Sequence, residues 1–234
     1  MTQLDLAASP FNLDDEAISW VHATRDSLSA RDRLAQLFVL LERGEPGEVA
    51  EHVRSFKPGG ITRIYSADLA AEIALARDLG TLSAVPLLIS ADLEGSRMSL
   101  PFGTSVPNPL GLAAVDDVEA TTAISTIMAQ EAAAVGLNWS FTPVIDVNAA
   151  WRSAIVGTRS YGSDIDKVER HALAQIAAFQ ANGVAATVKH CRAKAMTTAT
   201  STWSPRSIRS TWRNGRPALA GSTARPLPRA CSAS

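Results

Sequence analysis

The sequence predicts an α/β fold in which parallel strands alternate with helices and one edge of the sheet carries the chemistry. Three observations lead there. Short apolar runs alternate with longer helical patterns, as in successive βα units. The apolar runs are continuous, which implies a sheet buried on both faces. Polar residues gather where those runs end, at Asp92 and Glu94, at Asp146 and Asn148, and at Lys189 and His190. In a (β/α)8 TIM-type barrel that C-terminal edge builds the active site.

The elements follow in order. A helix led by LDDEAISWVHATRD precedes the first strand, expected over residues 35–41 (AQLFVLL). The turn Lys57-Pro58-Gly59 introduces the second, over 60–65. The third, over 85–91 (VPLLISA), runs straight into Asp92, Glu94 and Arg97. A helix over 118–134 leads to the fourth strand, 137–147 (LNWSFTPVIDV). The next helix, 165–181, repeats Ile165, Val168, Ala172, Ile176 and Phe179 at spacings that give one apolar stripe. Asp164 suits its N-cap and Gly183 its C-terminal stop. The fifth strand, 184–188 (VAATV), ends at Lys189-His190. No internal repeat of solenoid period is present.

Composition divides the chain at His190. Up to that point 14 Lys and Arg face 23 Asp and Glu, a net charge of −9. Residues 191–234 hold seven Arg, Lys194 and no acid, a net charge of +8, together with both cysteines, Cys191 and Cys231. The first 190 residues therefore have no disulfide framework, and a cytoplasmic, reducing setting is expected. The acidic N-terminus lacks the basic and apolar regions of a secretory signal. No apolar run is long enough for a membrane span. No His/Cys/Asp group has metal-ligand spacing, and Asp146-Val147-Asn148 is at most a fragment of a calcium loop, so no metal or cofactor is expected. His22, His52 and His171 read as solvated or structural.

Four segments carry a resemblance. ISADLEGSR at 89–97 resembles the D-x-E-G-G-R segment of glycoside hydrolase family 3. FTPVIDVN at 141–148 and VGTRSYGSD at 156–164 resemble that family's F-x-P-V-x-D and G-x-R-S-[YF] blocks, and VKH at 188–190 resembles the start of its K-H-[FW]-P-G-x-G loop. The order is the family's, and the likeness covers about residues 13–190. It implies an incomplete barrel of about five of the eight βα units, with Asp92, Arg159, Lys189 and His190 lining a sugar subsite and Arg97 as a nearby support. Such residue types suit a pyranose. A carboxylate accepts from vicinal hydroxyls while Arg and Lys donate to the remaining oxygens. Plainer roles stand beside these. Asp92 could cap the following turn, Arg159 could form a surface ion pair, Lys189-His190 could be ordinary strand-end polarity, and Asp146 could only order its loop. Ser96 stands where the family has its second Gly, and Leu100 where N-acetylglucosaminidase members often carry Arg.

The family is one of retaining glycosidases, with an Asp nucleophile and, in the Asp-x-His branch, a His general acid/base. The resemblance thus implies action on a small glycoside or oligosaccharide, β-N-acetylhexosaminidase-like first and β-glucosidase or β-xylosidase second. A non-catalytic sugar-binding fragment is a further reading. After His190 the family's Pro-Gly-x-Gly and Asp-x-His are missing from the chain, which continues CRAKAMTTATSTWSPRSIRSTW. Restoring one base at the Cys191 codon makes the first base of each written codon the middle base of the true one. Suitable third bases then read WPGEGYDDRDQHLVTTVNPLDV, with both motifs in place. Residues 1–190 are therefore expected to be a partial barrel and 191–234 an out-of-frame, disordered basic tail, with no catalytic residue retained. A nucleic-acid-binding arm is the rival for that tail, and the frame argument decides against it. No nucleic-acid or membrane partner is expected.

Overall fold

A computed structural model describes residues 4–148 and 155–190. The expectation for residues 191–234 lies outside the described residues. Helices α1 (Asp15–Ser27) and α2 (Ala30–Ala35) lead into β1 (Val39–Glu42), α3 (Pro46–Phe56), β2 (Gly60–Arg63), α4 (Leu69–Leu82) and β3 (Leu88–Ala91). Then come α5 (Pro109–Val115), α6 (Val118–Ala134), β4 (Trp139–Ser140), a 3-10 turn (Gly157–Arg159), α7 (Ile165–Ala181) and β5 (Ala185–Ala186). The sheet order is β1-β2-β3-β4-β5, and every pairing is parallel. This is the first part of a (β/α)8 arrangement, with strands in sequence order and helices in the crossovers.

The strands are shorter than the apolar runs that predict them. Residues 30–35 form α2, because the Ser29 hydroxyl accepts from the Asp32 N–H at 3.1 Å and starts a helix there. The apolar run from Leu34 to Leu41 therefore straddles a helix end and a strand. The expected fourth strand stops after Ser140, where Thr142-Pro143 removes a ladder donor. Pairing returns as a bridge between Val144 and Lys189, in which the Lys189 N–H donates to the Pro143 carbonyl (3.0 Å) and the Ile145 N–H to the Lys189 carbonyl (2.7 Å).

Helices α3, α4, α6 and α7 pack on one face of the sheet. Leu40, Ile61 and Ile89 meet Val49 and Val53 of α3 and Leu75 and Leu79 of α4. Ala91 and Ala186 meet Met128, Ala129 and Ala132 of α6 and Phe179 of α7. The strand period of two sends the intervening residues to the other face. There Thr62 and Ser90 share a hydroxyl hydrogen bond of 2.9 Å, and the Trp139 indole donates to the Thr187 hydroxyl at 2.7 Å. On that face Val39, Leu41 and Leu88 are 42%, 56% and 48% exposed. The expectation of a sheet buried on both faces is corrected here, since this face is open among the described residues.

Helix α7 has the bounds its sequence predicts. The Asp164 carboxylate accepts from the N–H groups of Asp166 and Lys167. At its other end the Val184 N–H donates to the Phe179 carbonyl and the Gly183 N–H to that of Gln180, a Schellman stop with Gly183 at φ +77°. Its buried side is Val168, His171, Ala172, Gln175 and Phe179, so the stripe is rotated and Ile165 is exposed.

One contact fixes where β2 begins. The Gln36 side chain donates to the carbonyls of Lys57 (2.9 Å) and Pro58 (3.2 Å), and a Cβ on Gly59 would lie 2.1 Å from the Gln36 carbonyl oxygen. Gly59→Ala must move backbone, so we expect a loss of about 2–3 kcal/mol in urea denaturation.

Candidate functional site

The site grows from the end of β3. Leu93 is buried in the core, so the alternation sends Asp92 and Glu94 to its other side. A tight turn anchors Glu94, whose N–H and that of Gly95 both donate to the Met98 carbonyl, at 2.8 and 3.1 Å. The Glu94 side chain is only 1% exposed. A carboxylate in that position requires cations.

Two cations from distant segments supply them. Arg159, at the end of the 3-10 turn, donates from Nε to Glu94 Oε2 at 2.6 Å and from Nη2 to Oε1 at 2.8 Å, a forked pairing. Its Nη1 donates to the Ile155 carbonyl at 3.2 Å, which fixes the fork's direction. Lys189 enters just past β5, and its Nζ pairs with both Glu94 and Asp92. Asp92 is 37% exposed and is the more accessible carboxylate of the two. Burial pushes the Glu94 carboxyl up, but the hydrogen bonds and charges of Arg159 and Lys189 outweigh it and hold the group below its usual 4.5. The same hydrogen bond to Glu94 raises the Arg159 guanidinium further.

A second pair stands beside the first. His190 Nδ1 lies 2.6 Å from Asp146 Oδ2, and the Asp146 side chain is fully buried. With Nδ1 committed to the carboxylate, Nε2 is left to face another group. The loop after β4 is tied to the 3-10 segment by the Asn148 N–H on the Gly162 carbonyl (2.8 Å) and by the Ser160 hydroxyl on the Asp146 carbonyl. Below it the Tyr161 hydroxyl donates to Gln175 at 2.9 Å, and its ring stacks on buried His171, which shares a 2.7 Å hydrogen bond with Thr121. His171 is thus structural.

The structure brings Asp92, Arg159 and Lys189 together through Glu94, with His190 the next residue in the chain. Arg97 is exposed, and among the described residues no hydrogen bond or ion pair ties it to this group. The partner that sequence reasoning left out is Glu94. Its signal was present in the second acid of the Asp-x-Glu pair, which shares a side of the chain with Asp92. Among the described residues no group of three His, Cys, Asp or Glu is placed to hold a metal ion. No described helix is long and apolar enough to cross a membrane.

The chain is similar in sequence and fold to known proteins. The glycosyl hydrolase family 3 N terminal domain matches residues 30–209. A beta-N-acetylglucosaminidase/beta-glucosidase of Cellulomonas fimi is 36% identical over 191 residues, covering 80% of this chain and 33% of the relative. The structure of a beta-glucoside phosphorylase, BglX, bound to 2FGlc matches with TM-score 0.74 and 33% identity, over 82% of this chain and 35% of that one. A family 3 beta-N-acetylglucosaminidase from Paenibacillus sp. str. FPU-7 matches with TM-score 0.66 and 30% identity, over 74% and 35%. The chain spans about a third of the length of these proteins.

Two outcomes follow from the geometry. Ser96, in place of the family's second Gly, sits at φ +52°. Ser96→Gly relieves a left-handed residue but adds freedom to the unfolded chain, so a net gain of about 0.5–1 kcal/mol is expected in thermal denaturation. Glu94 has a lowered carboxyl, so its contribution to stability is complete above the ordinary value of 4.5 and is lost as pH falls through the folded value. Acid titration followed by circular dichroism should show a steeper loss of stability below about pH 4.5 for the native chain than for Glu94→Gln.

Proposed function

We propose, because this chain belongs to the glycosyl hydrolase family 3 N-terminal domain family, that its barrel segment is the sugar-binding part of a retaining β-N-acetylhexosaminidase-like glycoside hydrolase. The observation that carries this reading is the Lys189 ammonium shared between Asp92 and Glu94 at the C-terminal edge of the sheet, with Arg159 on the far side of Glu94. In this reading Asp92 accepts hydrogen bonds from adjacent sugar hydroxyls. Lys189 and Arg159 donate to the other oxygens, and His190, oriented by Asp146, supplies Nε2. The names of the Cellulomonas fimi and Paenibacillus relatives favour an N-acetylglucosaminide. A β-glucoside is the second reading, favoured by the 2FGlc-bound relative, and a β-xyloside belongs with it. The absence of Cys from the first 190 residues supports a cytoplasmic setting. A small glycoside or oligosaccharide is the partner, with no role for nucleic acid or membrane.

Retaining hydrolysis needs a carboxylate nucleophile and a proton donor on opposite sides of the glycosidic bond. From Cys191 onward the chain has no Asp or Glu, and the Asp-x-His motif appears only in the restored frame. Residues 1–190 therefore act as the barrel segment, and residues 191–234 as an out-of-frame tail. The written chain holds a sugar without hydrolysing it, because binding ground and transition states alike leaves the barrier unchanged.

The test is release of 4-nitrophenol from the N-acetyl-β-glucosaminide and the β-glucoside. The 234-residue chain should give none, and a version with one base restored and extended to its natural stop should turn over the first substrate faster. Turnover by the 234-residue chain that disappears in Asp92→Ala would overturn the claim that it is catalytically empty.

A further inference from the structure

We infer that Glu94 is a positioning residue for this sugar site: one buried carboxylate aims both cations and sets the charge balance that selects an uncharged sugar. The inference rests on the sugar-site reading above and extends it to a residue that never meets the ligand. Glu94 is covered by the two cations it holds, with Arg159 on both of its oxygens and Lys189 on one. Asp92, by contrast, is partly exposed and shares Lys189 with it.

The geometry makes Glu94 the fixed point. The turn at Met98 holds its backbone, and its side chain is sealed. Lys189 is fixed at the main chain by Pro143 and Ile145, but its four-carbon stem is flexible and takes its direction from the carboxylates it meets. Arg159 is likewise fanned against Glu94, with its outer edge reaching the Ile155 carbonyl. Without the Glu94 charge, Lys189 would follow Asp92 alone and Arg159 would keep only the Ile155 carbonyl and the more distant pull of Asp92 and Asp146, with its Nε released.

Charge accounting gives the selectivity. Asp92 and Glu94 carry two negative charges against the two positive ones of Lys189 and Arg159, and buried Asp146 beside His190 adds a further acid that also acts on Arg159, so the site has no spare cation. An uncharged pyranose enters with every ion pair kept. A uronate carboxylate must compete with Glu94 or Asp92 for a cation, and in a partly buried site that competition is strongly weighted against it. Neutralising Glu94 shifts the balance by one charge toward the cations and weakens the preference, while neutralising Arg159 shifts it by one toward the anions and reinforces it.

The experiment uses the 234-residue chain as native protein, Glu94→Gln and Arg159→Gln, with 15N-arginine labelling. Affinities for N-acetylglucosamine and glucuronic acid are read by titration. Glu94→Gln should bind N-acetylglucosamine about tenfold more weakly and shift the ratio of the two affinities about tenfold toward glucuronic acid, the size of one charge-assisted hydrogen bond. Arg159→Gln should shift the ratio the opposite way. A purely structural role would weaken both sugars together and leave the ratio unchanged in both variants, and that result overturns the inference. A readout without sugar guards the case in which nothing binds. The Arg159 Nε–H resonance should be protected from exchange in the native chain and lose that protection in Glu94→Gln. Unchanged protection overturns the positioning role. Failure of the native chain to bind either sugar, with the protection change intact, overturns the sugar-site reading and leaves the positioning role standing.

Discussion

A single buried negative charge organises this part of the molecule. Glu94 has no water to solvate it, and an unpaired carboxylate there would cost several kcal/mol. Its satisfaction requires the end of β3, the 3-10 turn after β4 and Lys189, three residues past β5, to meet at one point. Those segments are 65 and 95 residues apart in the chain. Beside that point, residues 143–148 are tied by backbone hydrogen bonds to Gly162 and Lys189. The arrangement is a demand of electrostatics that the sheet is built to meet.

Core and site are separated with single-residue resolution. Ala91 and Leu93 belong to the cluster that holds α6 and α7, while Asp92 and Glu94 leave from the other side of the same chain. The apolar contacts that stabilise β3 thus do not compete for space with the polar groups that follow it. The two sides also differ in completeness. The helix side is packed, whereas the opposite face displays Val39, Leu41 and Leu88 to solvent. A sheet face of that kind invites association with other apolar surface.

Much of this was legible in the sequence, for identifiable reasons. Helix α6 has the expected bounds, and α7 could be placed to the residue because Asp164 caps it and the Schellman glycine ends it. Local chemistry decides such boundaries. Strand ends were less legible, since apolar composition continues through Leu34–Leu41 although a helix ends and a strand begins inside it. Asp92, Lys189 and His190 stand after apolar runs, and it was the family resemblance that joined them with Arg159 in one sugar subsite. Glu94 also ends an apolar run, but its role did not show, because it lies in cations that only the tertiary fold brings to it. His171 shows the same limit: its partners Thr121 and Tyr161 lie on α6 and in the loop before α7, beyond the reach of helical periodicity.

The stretch from the Schellman glycine to the lysine works as a measured length. After Val184 the N–H groups of Ala185, Thr187 and Lys189 donate in turn to Asn138, Ser140 and Pro143. The first step of two residues meets a step of two on the neighbouring segment and the second a step of three, so each donor has its own fixed partner. Removing one residue would place the imidazole of His190 where the lysine stem now reaches, and would turn every intervening side chain to the opposite face. Substitution in this interval can be tolerated wherever size permits, but a gap cannot. Across a lineage the segment should therefore drift in composition while its length stays constant, in contrast to the surface loops on the helix side, where insertions cost little.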